Sequence, residues 1–177
     1  MVNGKHKGNA FERYIANYLT EQYGDKFMRT AHSGAYTGKS NFYRRDSMTD
    51  DTQKAFVGDI LAPKGYHVVC ECKAYAEITG GIKAILLGES KVIEEWVGQL
   101  LDDSQNEVPH ILFFKLNNLG TYFVLPDKFF HDVNLDKNFI AYTSYFVERG
   151  KDMLKYYIIS LDNFQFIKNE IKRIING

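Results

Sequence analysis

The segment Tyr66-His67-Val68-Val69-Cys70-Glu71-Cys72-Lys73-Ala74 decides the reading of the fold. Its composition and alternation are those of a β-strand, in which successive side chains leave opposite faces. Val69, Glu71 and Lys73 then share one face, and Val68, Cys70 and Cys72 the other. Glu71 stands in a run that reads as buried, where an ionised carboxylate is rarely found without a partner. The two cysteines lie two apart on one face, too far for an easy disulfide, and read as small buried thiols.

On the N-terminal side, Ala62-Pro63-Lys64-Gly65 is a turn, and Ala55–Leu61 before it reads as a second strand closing a hairpin. A polar stretch from His32 to Lys54 is long for a connection inside one domain and reads as a functional loop or as partly disordered. Phe27 to Ala31 resembles a short strand. The chain opens with a helix from Gly8 to Tyr23, in which Phe11, Tyr14, Ile15, Tyr18 and Leu19 have the spacing of one buried face and Glu12 flanks it. Gly24-Asp25 ends it.

On the C-terminal side, Gly80-Gly81 interrupts the chain, and Ile82–Leu87 fits either a strand or a helical turn. Ser90 is the expected N-cap of a helix to Ser104, with Glu94 and Glu95 near its positive end. Ile93, Trp96, Val97, Leu100 and Leu101 form its inner stripe. His110–Leu116 and Thr121–Leu125 form a hairpin, and Pro126-Asp127 opens a helical turn to Phe130. Tyr142–Glu148 and Met153–Ser160 form another, and Asp162 or Asn163 caps a last helix to Ile175. The order predicts an α/β (α+β) domain, a central mixed sheet flanked by helices. One domain spans residues 1–177, with a core at about 5–125 and a C-terminal strand pair and helix at about 138–177.

Apolar residues make up 45% of the 177, aromatic residues 15% and charged residues 25%, which are globular values. With 22 basic against 22 acidic side chains, coating of nucleic acid by bulk charge is excluded, so any such footprint is local. Met1–Lys7 lacks the apolar core of a signal peptide and no apolar run could span a bilayer, so a cytoplasmic protein without membrane contact is expected. His6, His67, His110 and His131 show no ligand spacing. Lys168, Lys172 and Arg173 read as the solvated face of the last helix.

The predicted hairpin brings Asp59 towards Glu71 and Lys73, so that two carboxylates and a lysine converge at one end of a sheet. Clustered carboxylates repel unless a cation sits between them. Magnesium prefers oxygen ligands and can activate water and stabilise charge on phosphate. The lysine is placed to orient or deprotonate an attacking water, or to offset charge on the phosphoryl group. Glu12 can add a third carboxylate.

These residues resemble the PD-(D/E)XK nuclease superfamily, whose motif is an Asp followed on the next strand by (Asp/Glu)-X-Lys. Gly8-Asn9-Ala10-Phe11-Glu12-Arg13, Arg29-Thr30-Ala31-His32-Ser33-Gly34 and Gly58-Asp59-Ile60 are further similar to the archaeal-type and phage Holliday junction resolvases within it. Two departures are visible: Gly58 stands where a proline is usual, and the loop between Gly34 and Phe56 is longer than in compact resolvases.

The resemblance implies a restriction-endonuclease-like core and catalysis by Glu12, Asp59, Glu71 and Lys73. It implies Mg²⁺ (or Mn²⁺) on Asp59, Glu71, the Cys72 carbonyl and, directly or through water, Glu12. Cleavage would leave 5′-phosphate and 3′-hydroxyl ends. Gln99 matches a polar position near the family's site. Arg29, His32, Ser33, Lys39, Arg44 and Arg45, with Tyr36, Phe42 and Tyr43 for stacking, are the candidate DNA contacts; a solvated loop is the alternative. A homodimer resolving four-way or branched DNA is the first expectation, since two symmetric cuts suit a twofold axis. Ile82–Leu87 or Phe139–Phe146 would supply its interface. A restriction-like or repair endonuclease on linear duplex, and a catalytically idle DNA-binding or assembly protein, are the competing readings.

Overall fold

The computed structural model describes residues 4–30, 57–104, 107–133, 135 and 140–176, and of residues 4–7 the backbone alone. Helix α1 (Gly4–Tyr23) starts earlier than the apolar spacing predicts. It buries Phe11, Ile15, Ala16 and Leu19 on one face, but Tyr14 leaves the expected stripe and is 50% exposed. The helix stops where Gly24 takes a φ of 76°, a conformation glycine adopts without a Cβ clash.

Strand β1 (Met28–Arg29) pairs antiparallel with β2 (Ile60–Leu61), Arg29 opposite Ile60. The expected hairpin between 55–61 and 66–74 is therefore corrected. Of the described residues of the first stretch, 57–61, Ile60 and Leu61 are in a strand, and their ladder partner is β1. Residues 66–68 stay outside the second strand because their backbone is engaged elsewhere: the His67 N–H donates to the carbonyl of Ile175 at 2.6 Å.

Strand β3 (Val69–Tyr75) instead pairs in parallel with β4 (His110–Leu116), Glu71 opposite Leu112 and Lys73 opposite Phe114. The connection contains α2 (Gly81–Leu86) and α3 (Lys91–Ser104), so the ambiguous run after Gly81 is helical. A parallel pair requires such a crossover. Strand β5 (Gly120–Pro126) returns antiparallel beside β4. A helical turn, α4 (Asp127–Phe130), then leads towards β6 (Tyr142–Arg149) and β7 (Asp152–Ser160). The sheet order is β3-β4-β5-β7-β6, mixed as expected. The C-terminal hairpin is continuous with the core, because β7 lies directly beside β5.

Two apolar layers cover the sheet. On one face Cys70, Cys72, Ile111, Phe113 and Phe123 pack with α1 and with the last helix, α5 (Phe164–Ile175). On the other, Val69, Leu112, Phe114 and Val124 pack with Ile93, Trp96, Val97 and Leu100 of α3. Strands covered on both faces read as near-continuous apolar runs, which accounts for the composition of β3 and β4. Both cysteines are buried and unbridged, and burial first, with nearby carboxylates, pushes both thiols up.

Two expected caps differ in chemistry. Ser90 precedes α3, and its carbonyl accepts from the Glu94 N–H at 3.2 Å and the Tyr145 hydroxyl at 2.8 Å. Its own Oγ is buried without a hydrogen-bond partner among the described residues. Neither Asp162 nor Asn163 caps α5 through its side chain; a 3₁₀ turn over Leu161–Asn163 precedes the helix and Ser160 caps that turn. Lys172 is also more than solvated surface, since it bonds Asp25 at 3.3 Å and lies 5.6 Å from the ring centroids of Tyr23 and Tyr66. No helix among the described residues is long and apolar enough to cross a membrane.

Candidate active site

Asp59 reaches β3 without a strand ladder. Its N–H donates to the Cys70 carbonyl at 2.7 Å, and its own carbonyl accepts from the Thr30 N–H at 2.9 Å. Its carboxylate Oδ2 accepts from the Cys72 N–H at 2.8 Å. The aspartate is thereby wedged between the end of β1 and the middle of β3, and is 7% exposed. Gly58 makes this approach possible. Its φ is 75°, and a Cβ there would stand 2.7 Å from the Cys70 carbonyl oxygen. Proline, with φ near −65°, cannot adopt that backbone, which explains the departure from the usual motif.

Glu71 and Lys73 leave β3 on the face of α3, as their strand phase predicts. Lys73 Nζ donates to Glu71 Oε2 at 3.0 Å and to Gln99 Oε1 at 2.9 Å. Gln99 Nε2 lies 3.4 Å from the same glutamate oxygen. The three side chains form one small network, and the polar position expected on α3 falls in it. Glu71 is 3% exposed, and its carboxyl is pushed up to about 8 by burial first and then by the Asp59 charge, with Lys73 opposing both. Burial works to lower Lys73, but the charge and hydrogen bond of Glu71 outweigh it and hold the ammonium above its ordinary value.

Glu12 is buried on α1 and forms an ion pair with Arg29. Arg29 Nη2 also donates to Asn9 Oδ1 at 2.9 Å. Glu12 is near enough to Cys72 to help push its thiol up. Thus Arg29, expected to contact DNA, is engaged by a predicted site carboxylate. Asn9 and Thr30 were not expected here. Thr30 touches Asp59 only through its backbone, and no side-chain pattern announces such a contact. His32, Ser33, Lys39, Arg44 and Arg45, with Tyr36, Phe42 and Tyr43, lie outside the described residues.

The donor chemistry suits a hard divalent cation. Asp59 Oδ1 and Glu71 Oε1 accept no hydrogen bond among the described residues, while their partner oxygens are held in place. Two buried carboxylates, one of them pushed up by burial first and then by the charge of the other, form an electrostatic arrangement that a cation relieves. As the side chains stand, no group of three or more His, Cys, Asp or Glu among the described residues is gathered around one point. Glu12 in particular is turned to Arg29.

A mixed sheet between helical layers, carrying Asp59 against a Glu71-Cys72-Lys73 strand, defines a PD-(D/E)XK nuclease with a restriction-endonuclease-like core. The family model described as "Phage putative PDDEXK endonuclease" matches residues 3–173, and the chain belongs to that family. The match runs well past residue 125, in keeping with β7 lying inside the sheet. No curated protein and no solved structure matches the chain.

Proposed function

We propose that this endonuclease hydrolyses DNA phosphodiesters with Mg²⁺ at Asp59, Glu71 and Lys73, and acts on branched DNA as a homodimer. The observation that carries the reading is the hydrogen bond from the Cys72 N–H to Asp59, which fastens this carboxylate to the strand residue between Glu71 and Lys73. Asp59, Glu71 and the Cys72 carbonyl are the proposed holders of the cation, with Glu12 joining through water or after exchanging its bond to Arg29. Bound there, magnesium supplies Lewis-acid stabilisation of the phosphodiester and a lowered pKa for water.

The chain's own groups do the rest. Lys73, clamped by Glu71 and Gln99, sets a positive charge towards the phosphate and orients the attacking water through its N–H groups. Both carboxylates are buried, and burial away from bulk water strengthens that field. Asp59, pinned by three hydrogen bonds from its backbone and side chain, holds its position without rearrangement.

The branched substrate rests on the likeness of Gly8–Arg13, Arg29–Gly34 and Gly58–Ile60 to junction resolvases, and the dimer on the symmetry of two cuts. Exposed Leu86 and Leu87 at the end of α2, and Phe146 on the edge strand β6, are the apolar surfaces open to such an interface. The test uses end-labelled four-way junction, flap, linear duplex and single-stranded DNA, in Mg²⁺ and in Ca²⁺, beside Lys73→Ala. Symmetric nicks confined to the junction support the whole reading. Equal digestion of all substrates removes the resolvase and keeps the nuclease. Absence of Mg²⁺-dependent cleavage removes both.

A further inference from the structure

Tyr75, two residues past Lys73 on the same side of β3, and Phe11, beside Glu12 on α1, border a cleft of about 430 Å³ at the end of that strand. Phe11 and Tyr14 of α1 form one wall, Ala74 and Tyr75 of β3 another, and Lys115 at the end of β4 with Asn117 of the β4–β5 turn the rim.

Tyr14 is 50% exposed and Tyr75 48%, an unusual amount of aromatic surface in water beside a catalytic strand. Each ring is backed by others: Tyr14 stacks on Phe11 at 6.1 Å and 20° and on Tyr18 at 6.3 Å and 27°, and Tyr75 leans on Trp96 at 5.1 Å and 37°. Their orientation is set before any ligand arrives. The Asn117 N–H donates to the Tyr75 carbonyl at 3.2 Å, fixing the rim to β3. Lys115 has no ion-pair partner among the described residues. A rigid aromatic platform, an uncommitted cation and an amide able to donate and accept are the groups that hold an unpaired nucleotide.

We propose that this cleft is a subsite for one unpaired nucleotide flanking the scissile phosphate. Its base stacks on Tyr14, its edge meets the Asn117 amide and its phosphate meets Lys115. The inference rests on the nuclease reading and narrows its substrate: the strand to be cut carries a nucleotide out of the helical stack beside the cut. Junctions, flaps and bulges offer one; continuous duplex does not, because its bases stay stacked and paired.

The test is fluorescence anisotropy in Ca²⁺ with a short labelled thymidine oligonucleotide and a blunt duplex, using wild type, Tyr14→Ala, Tyr14→Phe and Lys115→Ala. Stacking on one aromatic ring is worth about 1–3 kcal/mol, so Tyr14→Ala is expected to weaken single-strand binding about tenfold or more. Tyr14→Phe restores it, Lys115→Ala lowers its salt dependence by about one phosphate contact, and duplex affinity moves less than about twofold. Both tyrosine changes lie on exposed surface, and unchanged thermal melting confirms the fold. Equal losses on both probes, no loss on either, or no binding by wild type would overturn the subsite. Cleavage of the same oligonucleotides in Mg²⁺ judges the nuclease reading separately. Cutting by wild type with Tyr14-independent binding sinks only the cleft, and Tyr14-dependent binding without cutting sinks only the nuclease.

Discussion

Asp59 Oδ2 accepts the backbone N–H of Cys72 at 2.8 Å, so the carboxylate of one segment is fastened to the strand residue between Glu71 and Lys73. Asparagine keeps a carbonyl acceptor at that place and removes the charge. Asp59→Asn is therefore expected to retain the thermal midpoint within a few degrees while cleavage falls at least about a hundredfold, the scale of losing one electrostatic contributor to a transition state. Parallel melting and cleavage assays check it. A large drop in stability, or retained cleavage, would contradict the role.

Gly58 prepares that contact. Alanine there meets the Cys70 carbonyl at 2.7 Å and a φ of 75° that side chains disfavour. Gly58→Ala is expected to cost about 1–3 kcal/mol of stability and to displace Asp59, reducing cleavage as well. Chemical denaturation with and without the substitution measures the first effect.

Gln99 holds Lys73 at 2.9 Å and lies 3.4 Å from the Glu71 carboxylate. Orienting partners of this kind are worth about 10–100-fold. Gln99→Ala should lower the single-turnover cleavage rate by about tenfold while leaving thermal stability nearly unchanged. A rate equal to wild type would mean that Glu71 alone positions the lysine.

His110 supplies a pH dependence of stability unrelated to the site. Its ring is buried against Phe129 and Tyr156, Nδ1 lies 3.1 Å from the Val108 carbonyl, and Nε2 has no hydrogen-bond partner among the described residues. Burial lowers its pKa from 6.5 to about 4. The unfolded chain therefore binds the proton more readily. Stability from this residue is complete above pH 6.5 and is lost as pH falls to about 4, by up to roughly 3 kcal/mol. His110→Phe should flatten that part of the pH–stability curve. An unchanged slope would show that another group carries it.

How legible the fold was depended on whether a signal was local. The phase of Glu71 and Lys73, the stripe of α3 and the two C-terminal hairpins are periodic features, and the structure has them where the spacing put them. The two-residue ladder of Met28–Arg29 with Ile60–Leu61 has no period to detect, so Asp59 was given the right neighbours by the wrong pairing. Tyr14 counted as core because its position matched the stripe, yet a tyrosine at the margin keeps its ring in water while still stacking on Phe11. The bond between Glu12 and Arg29 joins residues far apart in sequence, each of which had been assigned separately, one to the metal and one to DNA.

The central claim is that Lys73 and the two carboxylates form one cation-dependent hydrolytic centre. The most direct measurement is the cleavage rate of DNA across a Mg²⁺ titration, for wild type, Asp59→Asn, Glu71→Gln and Lys73→Ala. The expected result is saturable, chelator-sensitive cleavage by wild type, with each variant slowed at least about a hundredfold. Lys73→Ala should remain folded and still bind DNA. Cleavage by Lys73→Ala at the wild-type rate, or none by wild type with Mg²⁺ or Mn²⁺ on any DNA, would contradict it.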